Sequence, residues 1–171
     1  MDLCVVDWEI IKDILIALIG AGIPSFVAWR IFKNWRGQKG AEVIANEAKQ
    51  NIQDILEIIK VVGLIRKKSF DSERSKNFGD FNRLYESVVR SSLYIDDCVE
   101  IKDFRKSIDE FFDCCLNFKR FESLYRHHAQ ESKFVEHVDG EINVIQIKGV
   151  NIINTLIPYS IYQKKFKFRK K

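Results

Sequence analysis

The sequence predicts an all-α fold, in which an amino-terminal transmembrane helix leads into an antiparallel helical bundle. Three observations carry this. The stretch "ILIALIGAGIPSFVAW", Ile14 to Trp29, holds no charge in a chain of which 30% is charged. Only two prolines and eight glycines interrupt 171 residues, so long helices meet few breakers. Beyond residue 40, apolar residues return every three or four positions in successive blocks. The chain divides accordingly into an amino-terminal segment with its span over residues 1–36, a helical domain over 37–163 and a basic tail over 164–171.

Sixteen uncharged residues reach about 24 Å at 1.5 Å per residue, slightly short of a bilayer core. Extension to Ile10 and Phe32 brings in Lys12, Asp13 and Arg30, which sit near the ends, where long side chains reach the interface. Trp8, Trp29 and Trp35, all the tryptophans of the chain, flank the segment as an aromatic belt does. A cleaved signal peptide needs a positive start, whereas Asp2, Asp7 and Glu9 precede this run. A buried core helix normally keeps a polar stripe, and Ser25 alone does not make one. Acids before the run and Arg30, Lys33, Arg36 and Lys39 after it place the amino terminus outside the membrane and everything after Trp35 in the cytoplasm. Within the span Ala17, Ala21 and Ser25 recur at every fourth position. Such a ribbon of small residues lets a neighbouring span approach, although small residues also fall there by chance.

The stretch from Gly40 to Lys68 reads as one long helix. Ala41, Ala45, Ala48, Ile52, Ile55, Ile59 and Val62 step by four and three, a heptad seam, and Ile44, Leu56, Ile58 and Ile65 widen it. "KKSFDSERSKNFG" is expected to be a polar connection, with Asn77 and Asp80 available to cap the next helix. Phe81, Tyr85, Val88, Ser92, Ile95 and Val99 restart the pattern. After the acidic "DDCVE", Ile101, Phe104, Ile108, Phe111, Cys115, Phe118 and Tyr125 repeat it, and the aromatics suit a packed helical core. Asp139-Gly140 is a turn signal. The β-branched stretch from Ile142 to Tyr162 fits a strand by composition and a helix by the spacing of Ile142, Ile145, Gly149, Ile152, Ile153 and Leu156. After three helices a fourth is the expectation, ending near Pro158.

Charge is uneven. Residues 37–163 carry 18 Lys and Arg against 20 Asp and Glu, and the surplus of the whole chain sits in Lys164, Lys165, Lys167, Arg169, Lys170 and Lys171. A body of this balance is no basic nucleic-acid platform, and no DNA partner is expected. The tail, with two phenylalanines among its cations, suits an anionic membrane surface or a solvated end. Cys4, Cys98, Cys114 and Cys115 show no disulfide spacing, which fits a reducing compartment. Zinc-type spacing, Gly-rich phosphate loops and nucleophile elbows are missing, so no metal and no cofactor are expected.

One arrangement suggests chemistry. In "RFESLYRHH", Arg120 precedes His127 by seven residues, nearly two helical turns, so both project from one face with Ser123 between them. Phe112 and Leu116 continue that face. An Arg–His pair can cut RNA, the arginine stabilising phosphorane charge and the histidine moving a proton. Alternatively, both residues complement the negative pole of a helix end. The motif is similar to the Arg-x4–6-His signature of the HEPN superfamily of ribonucleases, with His128 a competing register. It departs from the family where Phe121 stands directly after the arginine, a position that usually holds Asn, Asp or His.

Taken with an amino-terminal span and a helical body of this size, the chain resembles the small membrane accessory proteins of type VI-B CRISPR loci. That resemblance implies a divergent HEPN-like bundle and an oligomeric membrane pore. It further implies that the chain strengthens antiphage defence by depolarisation, alongside an RNA-guided RNA nuclease. Only Arg120 and His127 carry over, and the departure at Phe121 speaks for a non-enzymatic role. The rival expectations are a membrane-tethered ribonuclease using those two residues and a non-catalytic membrane-anchored adaptor.

Overall fold

The computed structural model describes residues 12, 13, 16, 22–67, 71–128 and 132–169, without the side chains of 67, 71, 72, 74, 123–128 and 132–135. Among the described residues four helices follow one another: α1 (Ile23–Lys67), α2 (Asp71–Cys98), α3 (Phe104–His128) and α4 (Ser132–Ser160). The all-α class is thus observed, and no strand forms among the described residues. Two compact units divide the chain between Glu42 and Val43.

In the second unit the four helices pack as antiparallel neighbours. Asn51 and Asp54 of α1 bond to Ser91 and Ser87 of α2. Phe81 and Tyr85 of α2 meet Phe118 and Phe112 of α3. Glu110 and Phe121 of α3 meet Lys148 and His137 of α4. Arg66 of α1 pairs with Asp139 of α4 at 2.8 Å, which closes the circuit. In each case the later residue of one helix meets the earlier residue of the next, the up-down-up-down order that short connections enforce.

The core between them is aromatic and aliphatic. Phe81, Phe104, Phe111 and Phe118 are fully buried with Ile55, Ile58, Ile95, Ile108 and Ile145. Burial of one such side chain contributes about 1.5–3 kcal/mol. At Gly149 α4 packs tightly on α1 and α3: a Cβ there would lie 3.0 Å from Ile55 Cγ2 and 3.3 Å from both Ile59 and Phe111. Polar contacts also cross the α1–α2 seam. Asn51 is fully buried, and its Nδ2 donates to Ser91 Oγ at 2.7 Å and Ser92 Oγ at 2.8 Å. A buried amide of this kind fixes the register of facing helices at some cost in stability.

The seam residues Ala45, Ala48, Ile55 and Val62 are buried as the heptad spacing requires, and so are Ile44, Ile58 and Ile65. Leu56 is not; it points outward at 52% exposure. Two local expectations are corrected. The polar connection before α2 is helical from Asp71, so Asn77 and Asp80 lie within the helix rather than at its cap. The Asp139-Gly140 signal makes no turn, for α4 runs through it. Burial of Val138 and Ile142 on either side, with the Arg66–Asp139 pair, outweighs the roughly 1 kcal/mol that a helical glycine costs. The stretch from Ile142 onward is helix and continues two residues past Pro158.

The chain then reverses at Tyr162, whose φ of 59° is unusual for a bulky residue. Residues 163–169 fold back over the connection between α2 and α3. Val99 and Phe168 form an isolated antiparallel bridge. Glu100 N donates to Lys167 O at 2.8 Å and Arg169 N to Cys98 O at 3.0 Å. Phe166 stacks among Tyr159, Tyr162 and Phe168.

Candidate functional site

The sequence-predicted features fall at three places. The first is the start of α1. From Gly22 to Lys39 every residue is exposed. Ile23, Phe26 and Trp29 are each 57% exposed and Ile31 63%, with Phe32 and Trp35 above half. The aromatics pair along the helix: Phe26 lies 5.9 Å from Trp29 and Phe32 6.2 Å from Trp35. Cations begin where the apolar run ends. Lys33 Nζ sits 5.3 Å from the Trp29 ring centre, and the Arg36 guanidinium 5.8 Å from that of Phe32. Such cation–aromatic pairs suit the boundary between an apolar phase and water. No helix among the described residues is long and apolar enough to cross a membrane. Of the expected span, Ile14, Leu15 and 17–21 lie outside the described residues, and with them Ala17 and Ala21 of the small-residue ribbon. Ser25 is exposed.

The second place is the outer side of α3. Arg120 is exposed, with NH1 3.5 Å from Asn117 Oδ1 one turn earlier. The side chains of Ser123, His127 and His128 lie outside the described residues, and the expected Arg120–His127 pairing lies there with them. Phe121 is buried, and its ring meets the edge of His137 at 5.3 Å. The position directly after the arginine is therefore a core position. Phe112 and Leu116 part company: Phe112 is half-buried against Tyr85, whereas Leu116 is 41% exposed. A shallow groove nearby is lined by Glu136, His137, Gly140 and Glu141. No group of metal-ligating side chains gathers among the described residues. Cys98, Cys114 and Cys115 are free thiols. Burial pushes the thiols of Cys114 and Cys115 up, which disfavours their thiolate forms.

The third place is the tail, and here the structure divides the cations. Lys167 pairs with Glu100, and Arg169 NH2 donates to Asp96 Oδ1 at 3.0 Å. Asp96 has a side chain only 6% exposed, and Arg105 reaches its other oxygen at 3.6 Å. A carboxylate so deep needs compensation, and two guanidiniums supply it. Lys164 lies over the Tyr159 ring at 5.8 Å. Lys164 and Lys165 remain exposed, and Lys170 and Lys171 lie outside the described residues. Two of the six cations expected at a membrane surface are thus turned onto the chain's own acids. The sequence reading missed this Asp96–Arg105–Arg169 cluster because its members lie up to 73 residues apart. The sole hint was the acidic "DDCVE" beside a tail of opposite sign.

No family model, curated protein or solved structure matches the chain.

Proposed function

We propose that this chain is a membrane-anchored, self-associating accessory protein of antiviral defence. Its amino-terminal segment inserts into the bacterial inner membrane with the amino terminus outside, and its helical bundle lies on the cytoplasmic side. A single apolar span encloses no water by itself, so a conducting pathway needs several spans packed side by side. Ala17, Ala21 and Ser25 supply the small contact ribbon for that packing. Depolarisation on a signal from an RNA-guided RNA nuclease is the activity this assembly would deliver.

The observation that carries the membrane reading is the row of exposed Ile, Phe and Trp side chains from Ile23 to Trp35. Contiguous apolar surface of this extent on a protein marks a membrane or a partner. Arg30, Lys33 and Arg36, gathered in its carboxyl-terminal half and just beyond, favour the membrane. The defence role rests on the similarity of "RFESLYRH" and of the whole architecture to the accessory family named above. Arg120 and His127 have no catalytic part in this reading.

The test is fractionation and a potential-sensitive dye in cells co-expressing an activated nuclease. The chain should resist extraction from membranes at alkaline pH, and cells should depolarise. Ala21→Leu, which adds bulk to the ribbon, should abolish both depolarisation and the large detergent-solubilised particle. A soluble chain overturns the anchor. Membrane-bound monomers without depolarisation establish the adaptor instead, and metal-independent RNA cleavage lost in Arg120→Ala establishes the ribonuclease.

A further inference from the structure

The outward faces of the bundle helices differ in kind. On α2 the exposed positions include Glu73, Arg83, Glu86 and Arg90, and on α3 Arg105, Lys106, Asp109, Asp113 and Lys119. On α4 the exposed positions from Ile142 onward are uncharged, whereas Glu136 precedes them. From Ile142 to Gln163 the one charged residue is Lys148, and it is held against α3 by its 2.6 Å bond to Glu110. Val144, Ile147, Val150, Ile157 and Ile161 instead face outward, Ile147 at 61% exposure. Asn151 and Asn154 share the same face and are exposed between them. The stripe is about 30 Å long at 1.5 Å per residue.

We infer that the outward face of α4 packs against the same face of a second copy of this chain. The inference deepens the self-associating reading above and rests on it, for it names a contact in the bundle separate from the amino-terminal ribbon. A face without charge is compatible with itself, whereas the mixed-charge faces of α2 and α3 would have to strip water from several ions to close. Its apolar side chains make a patch of roughly a few hundred Å², the size at which a surface marks an interaction site. Two such faces with their asparagines approach the roughly 1,000 Å² that a specific contact needs. Asn151 and Asn154 lie near the middle of the stripe, where amides facing their counterparts can bond and set the register. The lipid surface is the poorer occupant. A helix lying on a membrane carries Lys or Arg along its flanks and Trp or Phe at its centre, and this face has neither.

The test is disulfide cross-linking of the full chain in native membranes. Asn151→Cys lies near the centre of the face and meets its counterpart whichever way the two helices run. It should form dimers at least ten-fold faster than Arg90→Cys on the outward face of α2. Adding Ile147→Lys, which places an ammonium in the apolar contact whichever way the helices run, should suppress the cross-link at least ten-fold, while Ile147→Leu preserves it. Equal rates for Asn151→Cys and Arg90→Cys, or a cross-link indifferent to Ile147→Lys, would overturn the inference. Alkaline extraction of the same membranes reads the anchor separately. A cross-linked but extractable chain refutes the anchor alone, and an inserted chain without the cross-link refutes the α4 contact alone.

Discussion

Residues 23–42 and 43–67 are consecutive stretches of one helix, both rich in large apolar side chains, yet their fates are opposite. In the second stretch Ile44, Ile55, Ile58, Val62 and Ile65 are almost wholly buried. In the first, Ile23, Phe26, Trp29, Ile31, Phe32 and Trp35 all stand more than half exposed. Helical backbone geometry is common to both, so the difference lies in what surrounds them. The second stretch has α2 and α4 against it, with Asn51 bonded to Ser91 and Ile55 beneath Gly149. The polar pattern differs as well. Around the second stretch Lys and Glu alternate with the seam, whereas the first holds no charge from Ile23 to Trp29. A helix with one apolar stripe asks for a protein neighbour, and the first stretch is the part for which we propose a membrane instead.

The largest expected effect would break this comparison outright. Phe118 is fully buried between Phe78 and Phe81, and Phe118→Ala should cost about 3–5 kcal/mol in urea unfolding followed by circular dichroism. Phe26→Ala, an identical change at an exposed site, should shift the same curve by less than about 0.5 kcal/mol. Comparable losses would mean that the amino-terminal stretch packs against protein after all.

A smaller effect sharpens it through two helical glycines. At Gly149 a branched side chain collides with Ile55, Ile59 and Phe111, so Gly149→Val should cost about 1–3 kcal/mol. At Gly37 nothing lies within 4 Å, and Gly37→Ala should raise helicity, contributing up to about 1 kcal/mol locally. The two should move the thermal midpoint in opposite directions or, for Gly37→Ala, leave it unmoved. A loss at Gly37→Ala would reveal a close neighbour for the first stretch.

The smallest effect belongs to the folded-back tail. Arg169→Ala removes one of two guanidiniums from Asp96, but Arg105 remains, so the cost should not exceed about 1 kcal/mol. Amide exchange at Glu100 and Arg169, whose N–H groups hold the bridge, should nevertheless quicken well above that of the core. The tail is also pH-sensitive through Glu100. The Lys167 ammonium, as hydrogen-bond donor and nearby charge, holds that carboxyl below its ordinary value of 4.5. A carboxyl lowered in the folded state stabilises above its unfolded value and loses this as pH falls through the folded one. Protection of the bridge should therefore fade on acidification below pH 4.5, and Lys167→Gln should remove that dependence. Protection unchanged in acid would mean that the bridge and Phe166 hold the tail without the ion pair.

Much of the bundle was legible from spacing alone. The intervals from Phe81 to Val99 and from Phe104 to Phe118 name residues that are buried, Tyr85 only in part, because a 3.6-residue period admits only one inward face. The same arithmetic could not rank Leu56 against Ile55, since adjacent residues both border the seam and only the position of α4 decides which one is covered. The Arg120 site was read as a spacing of two polar residues. The identity of Phe121 carried more information, for it turns that point of α3 toward the core.

By itself the sequence determined an all-helical chain with a charge-free amino-terminal run, a self-contained core pattern and a cationic end. Those properties follow from local periodicity and composition, which need no neighbour. Tertiary structure decided what depends on distant partners. It continued α4 through Asp139-Gly140, because burial on both sides outweighs one local turn preference. It buried Asn51 among serines some 40 residues away. It also bent the tail onto Asp96, because a carboxylate sunk among helices must find its counter-charge wherever the chain can bring one.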